Sequence, residues 1–175
     1  MRLLPSLADR IEALLLESDN IKKIAEEIYS KKGFLFTGRG AYFPIALEGA
    51  LKLKEIAYVH AEGYAAGELK HGPIALIDEE MVNIAIVDPF LYEKTRSNVE
   101  EVKARRGIIV IIGPKGDKYL EDIADYYIPL DFSGFQDLAP LYANVTTQIL
   151  SYYMAKFKGT DIDKPRNLAK SVTVE

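Results

Sequence analysis

From Asp19 to Ser30 the chain repeats Ile21, Ile24, Ala25 and Ile28 at intervals of three and four, with polar residues filling most positions between. That spacing predicts a helix with one buried stripe. Before it, LPSLADRIEALLL has a similar rhythm, and Ser6 or Asp9 is a candidate cap for a helix running to about Leu16. Past Gly33 the period changes. FLFT is an apolar run of strand length ending in GRG, and PIALEGALKLKEIA returns to helical spacing, with Pro44 in a first turn that tolerates it. VNIAIVD (82–88), LYEKTRSNVEEVKAR (91–105) and GIIVIIG (107–113) read as buried strand, helix, buried strand, both strands apolar on both faces. YYIPL (126–130) is a further short strand, followed by a loop with Ser133 and Gly134. PLYANVTTQILSYYMAKFKG then reads as a long closing helix stopped by Gly159.

Strands alternating with helices predict an α/β fold, a mostly parallel sheet covered on both sides by helices, with ligands beyond the carboxyl ends of the strands. A chain of 175 residues suits one domain, here 1–160 with its two opening helices in 1–30. The remainder, 161–175, is polar and broken by Pro165, and on pattern alone it is a loose terminus.

Composition narrows the partners. With 49% apolar and 27% charged residues the chain has the balance of a globular protein, and a net charge of -4 provides no basic footprint for nucleic acid. Small molecules or proteins are the expected partners. The absence of cysteine excludes disulfides, thiolate metal sites and a cysteine nucleophile. No run approaches the length of a membrane span, and MRLLPSLADRIEALL lacks the features of a signal peptide, so a cytoplasmic location is expected.

Chemistry concentrates in LKLKEIAYVHAEGYAAGELKHGP, residues 51–73, which hold both histidines of the chain. At about 100° per residue, Glu48, Lys52 and Glu55 fall within roughly 60° of one helix edge, opposite a small-residue face of Ala46, Gly49, Ala50 and Leu53. Two readings stay open. The trio is either a solvated ion-pair ladder or, near the sheet's carboxyl edge, a carboxylate base supported by a lysine. His60 and His71 stand among glycines in a stretch that a compact turn could fold back over the helix; eleven residues apart with no third ligand, they do not form a metal pair, and no metal or cofactor is expected. GRGAY (38–42) sits where a Gly-rich turn can hold phosphate, yet it matches neither dinucleotide nor Walker spacing. Tyr142, Tyr152, Tyr153 and Phe157 form an aromatic stripe suited to core or a dimer surface.

GRGAYFPIALEGALKLKEIAYVHAEGYAAGELKHGPIALID and the terminal DKPRNLAKSVTVE closely resemble the C-terminal sugar isomerase (SIS) half-domain of the glucosamine-6-phosphate synthase family. The resemblance implies a three-layer sandwich with a flavodoxin-like sheet and a C-terminal active-site tail over 161–175. It also implies a site acting on fructose 6-phosphate to give glucosamine 6-phosphate in a homodimer. Carried over residue by residue, it makes Glu55 the base that moves a proton between C1 and C2. Lys52 becomes the cation near substrate, and His71 the ring-opening histidine supplied by a neighbouring subunit. Lys170 becomes the Schiff-base lysine and Ala169 a backbone contact to substrate.

Two family features are missing. The family's phosphate loop, of the form S-x-S-x-x-T, is absent, and without cysteine there is no glutaminase nucleophile. The chain is therefore expected to be inactive or weakly active alone, as an excised domain or as half of a split isomerase. The other readings are a sugar-phosphate-binding module and a dimerisation domain that have kept the residues only as scaffold.

Overall fold

The computed structural model describes residues 3–134 and 136–166. Five strands form one sheet in the order β2-β1-β3-β4-β5, and every neighbouring pair is parallel. This is the flavodoxin-like order, with the connections diverging between β1 and β3. The strands are β1 (Gly33–Gly38), β2 (His60–Ala65), β3 (Met81–Ile86), β4 (Ile108–Pro114) and β5 (Tyr126–Leu130). The helices are α1 (Leu3–Leu16), α2 (Asp19–Ile28), α3 (Tyr42–Ala57), α4 (Tyr92–Lys103), α5 (Lys118–Ile123) and α6 (Ala139–Lys158). Short 3-10 turns occupy Ala66–His71, Pro73–Leu76, Pro89–Leu91 and Gln136–Leu138.

Alternation along the strands divides the core in two. Phe34, Phe36, Val82, Ile84, Ile86, Val110 and Ile112 face α1, α2, α3 and α6; Leu35, Ala85, Val87, Ile109 and Ile111 face α4, α5 and the turns after β2. Asn83 is the polar exception in an otherwise apolar strand. It donates to the Leu35 carbonyl at 3.1 Å and to Thr37 Oγ1 at 3.2 Å, so a buried amide is satisfied across β1 and β3. The small-residue face of α3 works as its composition implies: a Cβ on Gly49 would lie 2.8 Å from the Phe36 ring.

The sheet is the parallel one that the alternation of strands and helices predicts. Three details depart from the pattern reading. The first helix begins at Leu3, with Pro5 in its first turn and Ser6 already inside it, so neither Ser6 nor Asp9 is its cap. Residues 60–65, which lack an apolar run, form the edge strand β2. The aromatic stripe divides: Tyr142 is buried, Tyr153 shares a 2.8 Å hydrogen bond with Ser18, Phe157 meets Tyr29, and Tyr152 is exposed.

Arg10 on α1 clasps the loop after β5, pairing with the Asp131 carboxylate at 2.6 Å. The Ser133 hydroxyl and amide donate to Asp131 Oδ1 at 2.6 and 3.0 Å. These Ser133 bonds first, and Arg10 second, lower the Asp131 carboxyl from 3.8 to about 2. A lowered carboxyl contributes stability above its unfolded value and loses it as pH falls from about 4 towards 2. The side chain is half exposed, so the contribution is at most about 1 kcal/mol. Asp131→Asn should therefore flatten the acid limb: between about pH 5 and pH 2.5 the parent's melting temperature should fall roughly 2–4 °C further than the variant's. Parallel melting curves would contradict this.

Candidate functional site

Because α3 buries Ala46, Gly49, Ala50 and Leu53 against the sheet and α6, its charged edge is left at the flank. There Lys52 Nζ donates to Glu55 Oε2 at 2.6 Å and lies 3.6 Å from Glu48 Oε1. Lys52 and Glu55 are half-buried, with side-chain exposures of 32% and 25%. The hydrogen bond to Glu55 holds the Lys52 ammonium above the usual lysine range, so it remains a cation throughout neutral pH. The geometry provides a carboxylate with one oxygen fixed by an ammonium.

The pair is not at the carboxyl edge of the sheet. The connection β1-α3-β2 joins two parallel strands, so α3 runs back antiparallel to them, and Glu55 lies five residues before His60, where β2 begins. The carboxylate therefore sits at the amino end of β2, contrary to the expectation for a ligand site in this topology.

What reaches that end is the segment leaving α6. Gly159 closes α6 at φ 69. Thr160 Oγ1 then donates to the Ile56 carbonyl at 2.5 Å, and the Arg166 amide donates to the Tyr58 hydroxyl at 2.7 Å. The segment taken as a loose terminus thus returns to the end of α3, three residues from Glu55. Lys170 and Ala169 lie outside the described residues, four and three positions beyond Arg166. Tyr58 and Arg166 carry no motif that singles them out; the one signal is a tyrosine where a helix end favours glycine.

The histidines do not join the pair. His60 opens β2, exposed, 3.4 Å from Glu62 Oε1, and Glu62 accepts from the Tyr64 hydroxyl. His71 ends the turn that leaves the carboxyl end of β2, and Leu69 seats that turn in the core beside α4. Glu55 and His71 thus belong to opposite faces of the sheet. No hydrogen bond or ion pair connects them among the described residues.

At the divergence between β1 and β3, the GRGAY turn brings Gly40 against Asp88: a Cβ there would lie 2.9 Å from Asp88 Oδ2. Arg39 turns away, donating to Asn98 Oδ1 at 3.0 Å and covering Gly67. A carboxylate lines the crevice and the guanidinium is engaged elsewhere, so the turn fits poorly as a phosphate cradle. Among the described residues no group of three or more His, Asp or Glu is placed to hold a metal ion, and no helix is long and apolar enough to cross a membrane.

Known proteins are similar to this chain in sequence and fold. The glutamine-fructose-6-phosphate aminotransferase (isomerizing) of Idiomarina loihiensis is 50% identical over 174 residues, which are 98% of this chain and 28% of that protein. Its Aquifex aeolicus counterpart is 46% identical over 176 residues, 100% of this chain and 30% of that protein. The chain thus spans less than a third of the length of the curated relatives it matches. Among solved structures, the C-terminal domain of glucosamine-fructose-6-phosphate aminotransferase from Francisella tularensis superposes with a TM-score of 0.82 at 41% identity, covering 93% of this chain and 46% of that one. A putative tagatose-6-phosphate ketose/aldose isomerase from Clostridium novyi reaches a TM-score of 0.83 at 22% identity, covering 97% of this chain and 47% of that one, and shares the fold. Residues 27–156 match the model of the SIS domain, and with three quarters of its length inside that match the chain belongs to the SIS domain family.

Proposed function

We propose that this chain supplies the proton-transfer part of an isomerising centre that converts fructose 6-phosphate and ammonia to glucosamine 6-phosphate. The observation that carries the reading is the half-buried Lys52-Glu55 pair, near the end of α3 where the C-terminal segment docks. A solvated ladder has no need of that segment.

In this reading Glu55 takes the proton from C1 of the ring-opened fructosimine 6-phosphate, leaving an enolamine across C1 and C2, and returns it at C2. Lys52 supplies a fixed positive charge beside the electron density that develops in between, which lowers the cost of that charge in the transition state. Before that, Lys170 forms a Schiff base with the ketose carbonyl, releasing water, and ammonia displaces the lysine to leave the fructosimine and the free Lys170 amine; Ala169 adds backbone contacts. His71 opens the sugar ring of a second copy. The separation of His71 from Glu55 on opposite sheet faces favours a shared site in a homodimer. Phosphate binding and ammonia supply fall to other domains of the assembly, because the crevice at GRGAY is lined by Asp88 and the chain has no cysteine.

The test is reconstitution. This chain is mixed with a phosphate-clamping SIS domain from one of the longer relatives, and conversion of fructose 6-phosphate to glucose 6-phosphate is followed. Activity is expected from the mixture and not from this chain alone. A mixture no more active than its separate parts contradicts the proposal.

A further inference from the structure

Tyr58 ends α3 with φ 54 and ψ 40, a left-handed conformation that glycine adopts freely and a tyrosine does not. Among the described residues Arg166 meets the ring it carries there in two ways. The Arg166 guanidinium stands over its face, 4.2 Å from the centroid, and the Arg166 amide donates to its hydroxyl at 2.7 Å. A planar cation on an aromatic face and a hydrogen bond at the ring's tip define both the place and the direction of the chain at residue 166. The approach is built by the residues before it. Thr160 takes up the Ile56 carbonyl, one of the acceptors that a helix end leaves without an intrahelical donor. Asp161 Oδ1 accepts from the amides of Asp163 and Lys164 at 3.1 and 2.9 Å, turning the segment back towards α3.

We propose that Tyr58 is a positioning residue: by holding Arg166 through ring face and hydroxyl, it fixes the chain four residues before Lys170, beside the end of α3 that carries the Lys52-Glu55 pair. The inference rests on the role given to Lys170 above. Four residues of extended chain span at most roughly 14 Å, and Tyr58 lies about one helical turn beyond Glu55, so the anchor sits within reach of the carboxylate. A tail released from Tyr58 would keep its earlier anchors, Thr160 on the Ile56 carbonyl and Ile162 against the core, and the free length before Lys170 would double from four residues to eight.

Trypsin reads the hold directly. The Lys164-Pro165 bond resists the protease, and a guanidinium stacked on Tyr58 cannot enter its specificity pocket, so cleavage after Arg166 measures release of the anchor. Tyr58→Gly removes the ring and hydroxyl while suiting the left-handed backbone, and Tyr58→Phe removes only the hydroxyl. Tyr58→Gly should raise the cleavage rate after Arg166 about tenfold and Tyr58→Phe about threefold, with the melting temperature of the chain preserved. A Tyr58→Gly chain cleaved at the parent's rate overturns the proposal. In the reconstituted assembly, borohydride trapping of fructose 6-phosphate on Lys170 should need more sugar in Tyr58→Gly for half-maximal labelling, while the maximum is unchanged. Lowered maximal labelling at an unchanged half-point overturns a positioning role. A parent chain that traps no sugar on Lys170 overturns the role of that lysine, whereas the cleavage rates still decide whether Tyr58 holds Arg166.

Discussion

Glu55→Gln in the reconstituted assembly is expected to lower isomerisation of fructose 6-phosphate about a thousandfold while leaving the fold as it is. The change is isosteric and removes only the capacity to take a proton. Lys52 keeps Glu48 within 3.6 Å, and a glutamine carbonyl can still accept the hydrogen bond that Glu55 Oε2 now receives at 2.6 Å. Glu55 is also only partly buried, so no uncompensated charge is left in the core. The melting temperature should therefore stay within a few degrees of the parent's, and substrate binding should change less than turnover. Lys52→Met should act in the same direction but less strongly, because it removes electrostatic support and leaves the proton acceptor. If Glu55→Gln retained full activity, the trio would be the surface ladder that helical spacing equally permits.

Gly63→Ala should be strongly destabilising, because the added methyl meets backbone and not the far end of a side chain. A Cβ on Gly63 would lie 2.7 Å from Leu47 Cα, 2.8 Å from Leu47 N and 2.9 Å from the Ala46 carbonyl carbon. All three are backbone atoms of α3, which cannot rotate aside as a side chain could. The helix must lift from β2 or the edge strand must shift, with a loss of about 3 kcal/mol and roughly 10 °C in melting temperature. The same displacement would move Lys52 and Glu55, one and two turns further along α3. Thermal melts of the variant would measure the first consequence and the reconstituted activity the second; a variant as stable as the parent would show that α3 is not seated on Gly63.

The parts of this fold that sequence reveals are those with a strong period. β1, β3 and β4 are apolar on both faces and α2 carries a clean stripe, so their type follows from pattern alone. β2 escapes because it is an edge strand in which only Ala61 and Gly63 turn towards α3, while His60, Glu62 and Tyr64 alternate with them. α5 spans six residues, too few for a helical period to emerge. The candidate site follows the same division. That Glu48, Lys52 and Glu55 share one edge is a property of spacing and is legible. Which end of the sheet they occupy is a property of the β1-α3-β2 connection, and it becomes legible only once residues 60–65 are recognised as a strand. The docking of Arg166 on Tyr58 joins residues 108 positions apart and has no local signal. The roles of His71, Lys170 and Ala169 come from resemblance, and no spacing in this chain assigns them.

The shared site is tested most directly by subunit mixing. Chains carrying Glu55→Gln and chains carrying His71→Asn are each inactive in the reconstituted assembly if both residues are needed. When the two variants are unfolded, mixed in equal amounts and refolded together, half of the dimers are mixed. Each mixed dimer holds one site with an intact Glu55 from one copy and an intact His71 from the other. The account predicts recovery of roughly a quarter of the parent's activity, as two-fold symmetry requires. A mixture that stays as inactive as either variant alone would show that Glu55 and His71 do not serve one site across a dimer.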